Sequence, residues 1–278
     1  MKSILSILLC FYAFLATVNA QERADSFRII FLEGKVPLVV AHRGLHQQYP
    51  ENSSTSIKAT INDKIPILEL DVRETKDGNL VVLHDKRLNR TTTGKGKVKK
   101  HSLASVQQLN LLHHDSITNE KVLSFKEALE LAKNEILIDI DFKPNSECSL
   151  KKALQTIKEV GVAKQVLFYV YDDYELIDAI HAFDSEILVM PRAHSAKDVA
   201  TLLKRNDIHV IHIDASFYSE ALVAKMHAKG IRVWSNVLVE LDEDGVEENI
   251  NFETLLPKGV DVIQTDYPIE LLEYLEEN

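Results

Sequence analysis

From residue 38 onward, short aliphatic and β-branched runs alternate with segments whose apolar positions recur every three to four residues. The runs cover residues 38–41, 67–72, 136–142, 166–170, 187–190, 210–213, 231–235 and 260–265. Short apolar runs bounded by polar turns fit strands buried on both faces. Between them, residues 124–133 set Phe125, Ala128, Leu129 and Ala132 on one helical face, and Ser124 with Glu127 forms a capping-box pattern. Residues 149–160 align Leu150, Ala153, Leu154 and Ile157. Residues 195–206 align Val199, Leu202 and Leu203, and residues 219–229 align Leu222, Val223 and Met226. Gly230 can end the last of these, and Pro268 can open a final helix where its missing N–H costs little.

A ninth apolar run, residues 80–84, follows Asp71 too closely for a parallel crossover. The intervening Asp77-Gly78 is a hairpin signal, so this strand is antiparallel to its predecessor and stands outside the regular count. Eight parallel strand–helix units remain. They predict an α/β fold, a TIM-type (β/α)8 barrel with a small insertion after barrel strand two, at about residues 89–115. An open doubly wound sheet is the architectural alternative.

The first twenty residues break the pattern. Lys2 precedes an apolar run over residues 4–18, and Val18-Asn19-Ala20 puts small residues where a signal peptidase cuts. The run is short of the ~20 residues that a spanning helix needs. Residues 1–20 therefore read as a signal peptide and residues 21–278 as a single barrel domain, exported to a periplasm or secreted, with no stable membrane span after cleavage. Cleavage removes one cation, Lys2, and takes the net charge from −10 to −11. So acidic a chain is a poor partner for nucleic acid. An anionic substrate would need a local positive centre, either a metal or a few placed Arg and Lys.

On a TIM barrel the chemistry gathers at the C-terminal ends of the strands. Those ends carry His42-Arg43-Gly44, Glu69-Leu70-Asp71, Asp139 with Asp141 and Lys143, Trp234-Ser235-Asn236 and Gln264-Thr265-Asp266, and the hairpin arm ends in His84-Asp85. Glu69 and Asp71 are two apart on a strand and point the same way. An inward pair of like charges is costly without a counter-charge, and oxygen ligands suit a hard divalent cation, Mg²⁺ or Ca²⁺. His42 and His84 are the candidate acid and base, and Arg43 and Lys143 supply the positive field for a phosphate.

The motifs occur in an order that resembles a known family. His42-Arg43-Gly44 with Pro50-Glu51-Asn52-Ser53 is followed by Glu69-Leu70-Asp71-Val72, Thr75 and Asp77-Gly78. Then come Val81-Val82-Leu83-His84-Asp85, Leu88, Arg90-Thr91-Thr92 and finally Gly259-Val260-Asp261 through Thr265-Asp266-Tyr267-Pro268. The set resembles the glycerophosphodiester phosphodiesterases. The resemblance implies a TIM barrel with a small insertion and metal-dependent hydrolysis of glycerophosphodiesters to glycerol phosphate and an alcohol. It makes His42 and His84 the catalytic pair, and Glu69 and Asp71 metal ligands. Asp141 stands where the family usually has a glutamate, with Lys143 following. Trp234-Ser235-Asn236 replaces the family's Trp-Thr-x-Asn. Val170-Tyr171 replaces Ser-Phe and leaves Tyr171 as a wall of the alcohol pocket. Glu51 either reaches the metal or holds the His42 loop.

Two other functions fit the same barrel: a related phospholipase of the D or C type, and a non-catalytic phosphodiester-binding protein. No amphipathic membrane helix or basic patch supports action on an intact lipid. Retention of both histidines and of the Glu69/Asp71 pair speaks against a mere binder.

Overall fold

The structure is a computed structural model that describes residues 20–34, 36–238 and 255–277. Apart from Ala20, the expected signal peptide lies outside the described residues. Eight parallel strands close into a barrel: β1 (Leu38–Ala41), β2 (Ile67–Glu74), β6 (Leu137–Phe142), β7 (Val166–Val170), β8 (Leu188–Ala193), β9 (Val210–Ile213), β10 (Arg232–Val237) and β11 (Val262–Thr265). The sheet runs β1-β11-β10-β9-β8-β7-β6-β2, and pairing of β1 with β2 shuts it. This is the TIM barrel, not the open sheet.

Strand β3 (Leu80–Val82) pairs antiparallel with β2, with Val72 opposite Val82. The turn between them uses Gly78 at φ 71°, a conformation that glycine adopts without steric cost. The excursion after it contains a second antiparallel hairpin, β4 (Asn110–His113) and β5 (Ser116–Lys121), which the sequence pattern does not announce. Strand β5 reads Ser-Ile-Thr-Asn-Glu-Lys and buries none of its residues, so it has no apolar face to detect. The excursion carries a small core of its own, including Val81, Leu88, Val98, Val106 and Leu111.

The helices begin where serine side chains can take up free backbone N–H groups. Ser124 and Glu127 cap Phe125–Ala132 reciprocally, as expected. Ser195 and Ser219 act as caps to Ala196–Leu202 and Glu220–His227. The helix Glu147–Val160 starts two residues before the expected segment, because Ser146 caps it by accepting the N–H of Ser149; Gly161, at φ 80°, ends it.

The sequence pattern also leaves the helix Ala20–Glu33 unannounced. Its Phe27 and Phe31 are fully buried and pack against Leu38, Ile67, Leu137 and Val262, the first residues of their strands. The helix therefore plugs the N-terminal mouth of the barrel. Arg232 fixes it there, donating to the carbonyls of Phe31 (3.1 Å) and Val36 (2.6 Å). Among the described residues no helix is long and apolar enough to cross a membrane.

Candidate active site

Most of the strand-end groups singled out from the sequence reach the opposite, C-terminal mouth, with Asp139 and Trp234 a layer deeper. The loop after β1 is built around backbone strain. Arg43 and Asn52 both hold φ near +55°, which costs a non-glycine residue roughly 1–2 kcal/mol. Specific bonds keep them there. The Arg43 N–H donates to Glu69 Oε2 at 2.9 Å, the Asn52 N–H to the Arg43 carbonyl at 3.0 Å, and Asn52 Nδ2 to Asp71 Oδ2 at 2.9 Å. Gly44 completes the turn, since a Cβ there would stand 2.8 Å from Ser56 Oγ. Sequence and strain together deliver the His42 ring to the mouth.

Glu69, Asp71 and Asp141 converge, each offering an oxygen within 4.8 Å of the others. The pairing of β2 with β6 sets Asp71 level with Asp141 and Glu69 level with Asp139. Burial pushes the Glu69 carboxyl well above the usual range, and the charges of Asp71, Asp141 and Asp139 add to the shift. Burial works the same way on Asp71, but Lys143 and Arg43 outweigh it and hold that carboxyl far below its ordinary value. Lys143 Nζ lies 3.0 Å from Asp71 Oδ1 and 2.6 Å from Asp141 Oδ2. The buried Oε1 of Glu69 has no hydrogen-bond partner among the described residues. A cluster of three carboxylates with an unsatisfied oxygen fits a hard divalent cation. The one-methylene-shorter Asp141 thus comes within reach of the other two. Asp139 stays a layer deeper, outside the trio.

Two histidines flank this cluster, and each is backed by a carboxylate. His42 Nδ1 lies 2.6 Å from Asp266 Oδ1, and His84 Nδ1 lies 2.9 Å from Asp85 Oδ1. Both rings act electrostatically on Asp71. Burial lowers the His42 pKa, with Arg43 adding to the effect and Asp266 opposing it. Carboxylates at both Nδ1 atoms favour the Nδ1–H tautomer, which puts the ring lone pair on Nε2; His42 Nε2 lies 4.0 Å from Glu69 Oε2. His46 adds a third ring, with Nδ1 2.7 Å from the His42 carbonyl and Nε2 3.3 Å from Asp266 Oδ1.

Arg90 ties the second histidine to the first loop. It donates to both oxygens of Asp85 (2.9 and 2.8 Å) and to both oxygens of Glu51 (2.6 and 2.9 Å). Glu51 also lies 3.4 Å from Arg43 Nη1. Glu51 is thereby engaged by two guanidinium groups and holds the loop that carries His42. Burial works against its charge, but Arg43 and Arg90 keep its carboxyl below the usual range.

Tyr171 donates to Asp141 Oδ1 and so orients a member of the carboxylate trio. Trp234 departs from its expected place. It is fully buried in the barrel interior, one layer below the mouth, and reaches the site only through its indole N–H to Asn236 Oδ1 at 3.1 Å. The strand alternation explains this: its side chain points inward beneath that of Asn236. Asp266, Asn52, Arg90 and His46 join the site without having been assigned roles from the sequence. Asp266, Asn52 and Arg90 sit inside the quoted motifs, which was their signal.

Residues 42–270 match the glycerophosphoryl diester phosphodiesterase family. The chain belongs to this family. A glycerophosphodiester phosphodiesterase of Bacillus altitudinis is 27% identical over 252 residues, covering 86% of this chain and 98% of that one. A glycerophosphoryl diester phosphodiesterase of Parabacteroides distasonis superposes with a TM-score of 0.76 at 20% identity, over 92% of each chain. A phosphodiesterase of Oleispira antarctica, solved with the product sn-glycerol-3-phosphate, gives a TM-score of 0.74 at 25% identity and covers 89% of this chain and 99% of that one. The glycerophosphoryl diester phosphodiesterase match opens at His42 and spans both histidines and all three converging carboxylates.

Proposed function

We propose that the protein hydrolyses glycerophosphodiesters to glycerol phosphate and an alcohol, with His42 and His84 as acid and base and a divalent cation on Glu69, Asp71 and Asp141. The observation that carries this reading is the convergence of those three carboxylates between two carboxylate-backed histidines. Membership of a phosphodiesterase family makes the chain an enzyme of the phosphoric diester hydrolase class. The relatives named for this activity, and the product held by the Oleispira antarctica enzyme, support the substrate class.

An all-oxygen set suits Mg²⁺ or Ca²⁺, which would polarise a phosphoryl oxygen. The chain's own groups do the rest. Lys143 and Arg43 place positive charge where it builds on the phosphate. One histidine accepts a proton from the nucleophile through Nε2, and the other donates one to the leaving oxygen. Asp266 and Asp85 hold a proton on Nδ1 of each ring, so that the accepting ring presents a lone pair at Nε2 while the donating ring, as the imidazolium, presents an Nε2–H. Export of the chain is proposed as well, on the strength of the apolar leader; a mature N-terminus at Gln21 would support it.

The test is turnover of a panel of glycerophosphodiesters with Mg²⁺ or Ca²⁺ present, measured as released glycerol phosphate. Absence of turnover on every member would overturn the reading.

A further inference from the structure

The strand ends around the mouth contribute an inward ring: His42, Asp71, Asp141, Tyr171, Arg192, Asp214, Asn236 and Asp266. The proposed chemistry uses one side of it. The other side holds Arg192 and Asp214. Leu188 and Met190 point into the barrel core, so Arg192, two further along β8, faces inward as well. Val210 and His212 set the same direction for Asp214.

The two residues form a pair of an unusual kind for an inward position. Arg192 donates from Nε (3.1 Å) and Nη2 (2.9 Å), and both bonds land on a single oxygen, Asp214 Oδ1. Neither bond uses Nη1, and neither uses Oδ2. His194 Nδ1 stands 3.7 Å from Oδ2, beyond hydrogen-bond reach. Both side chains keep part of their surface accessible, 31% for Arg192 and 26% for Asp214. Tyr171, at the end of β7 between β6 and β8, stands between them and the reacting side, and its hydroxyl donates to Asp141.

We infer that Arg192 and Asp214 read hydroxyl groups of the substrate, as a specificity pair across the mouth from the carboxylate trio. The inference rests on the phosphodiesterase reading and adds what the second side of the ring recognises. A donor edge beside an acceptor edge matches a hydroxyl, which needs one of each. The pair carries no net charge. An ammonium head group would meet Arg192, and an anionic one would meet Asp214, so a neutral polyol is the chemistry that fits. Two parts of a substrate could supply it, the glycerol itself or a polyol leaving alcohol. A site that offers hydrogen bonds to a hydroxyl discriminates strongly against an analogue lacking it, because its own polar groups are then left unpaired.

The experiment uses two ligand pairs that differ only in a diol. In the first, calorimetry of the protein with excess Mg²⁺ compares sn-glycerol 3-phosphate with propyl phosphate. In the second, turnover compares glycerophosphoglycerol with glycerophosphopropanol. Wild type should favour the diol-bearing member of at least one pair by about 10-fold or more. Asp214→Asn and Arg192→Gln should bring that ratio close to one, and Arg192→Lys should recover part of it. Collapse in the first pair assigns the glycerol; collapse in the second pair alone assigns the leaving alcohol. A ratio that survives both substitutions overturns the inference. Equal weakening of both members of a pair does the same, as does a wild type with no preference. The binding arm does not depend on turnover, so an inactive enzyme would sink the phosphodiesterase reading without deciding this one.

Discussion

His42 Nδ1 and Asp266 Oδ1 lie 2.6 Å apart, although 224 residues separate them in the chain. Barrel closure makes the contact, because β1 and β11 are neighbours with Ala41 level with Thr265. The pairing fixes which ring nitrogen faces the substrate. His42→Ala and His84→Ala should each lower turnover by about 100-fold or more while leaving the fold intact. Asp266→Asn should lower kcat with a smaller change in KM, since it disturbs the tautomer and not the binding of substrate. Full activity in either histidine variant would remove that residue from the mechanism.

Metal dependence should follow the carboxylate trio. Prolonged chelation should abolish activity, and Mg²⁺ or Ca²⁺ should restore it. Glu69→Gln should raise the metal concentration needed. Binding can also be read without turnover: a cation at 100 times its Kd stabilises the folded state by about 2.7 kcal/mol. That rise in Tm should shrink in Asp71→Ala and, to a lesser degree, in Asp141→Ala, whose carboxylate is also held by Tyr171 and Lys143. Thermal melts with and without the cation would decide it; an unchanged response in Asp71→Ala would contradict the assignment.

The barrel was legible because its strands are buried on both faces and so read as short apolar runs, and because serine caps mark several helix starts. The helix Ser54–Asn62 was not. It buries Ser56 and Thr60 beside Ile57, which blurs the apolar stripe. Glu175–Phe183 has Tyr174 at its cap and no side-chain bond there, so it gives no start signal. At the site, residue types and spacing picked out the carboxylates and histidines. They could not show that Asp266 belongs to His42, or that Arg90 joins Asp85 to Glu51 from 39 residues away, because barrel closure and the insertion create those contacts. Trp234 shows the same limit: its place in a strand-end motif put it among the site candidates, and its position in the barrel core, beneath Asn236, follows from the layer it occupies.

The N-terminal plug should matter for stability and not for chemistry. Phe31 is fully buried and Arg232 lies over its ring at 5.4 Å while holding the helix end. Phe31→Ala should cost about 3–5 kcal/mol. Arg232→Met leaves several buried carbonyls without their donor and should cost about 1–3 kcal/mol. Denaturant unfolding measures both. Activity of the folded fraction should stay near wild type, since the plug sits at the mouth opposite the site.

His212 should make the fold sensitive to acid. It is buried in the barrel beside Tyr169, whose hydroxyl lies 2.9 Å from its Nδ1. Burial, followed by the nearby Arg192 and His194, depresses its pKa to about 3. In the unfolded chain the ring takes up a proton near pH 6.5. Between about pH 6.5 and 3 the unfolded state therefore binds the extra proton and the folded state does not, so stability falls as pH drops through that window. At pH 5 the loss from this one residue is about 2 kcal/mol, set by the unfolded pKa as long as the folded value lies well below 5. His212→Asn removes the titration and keeps a polar atom near the Tyr169 hydroxyl. The variant should lose about 2 kcal/mol less than wild type between pH 7 and pH 5 in urea unfolding. His42, also depressed, contributes to both proteins and cancels in the comparison. Equal losses in the two proteins would show that His212 is not held neutral by the fold.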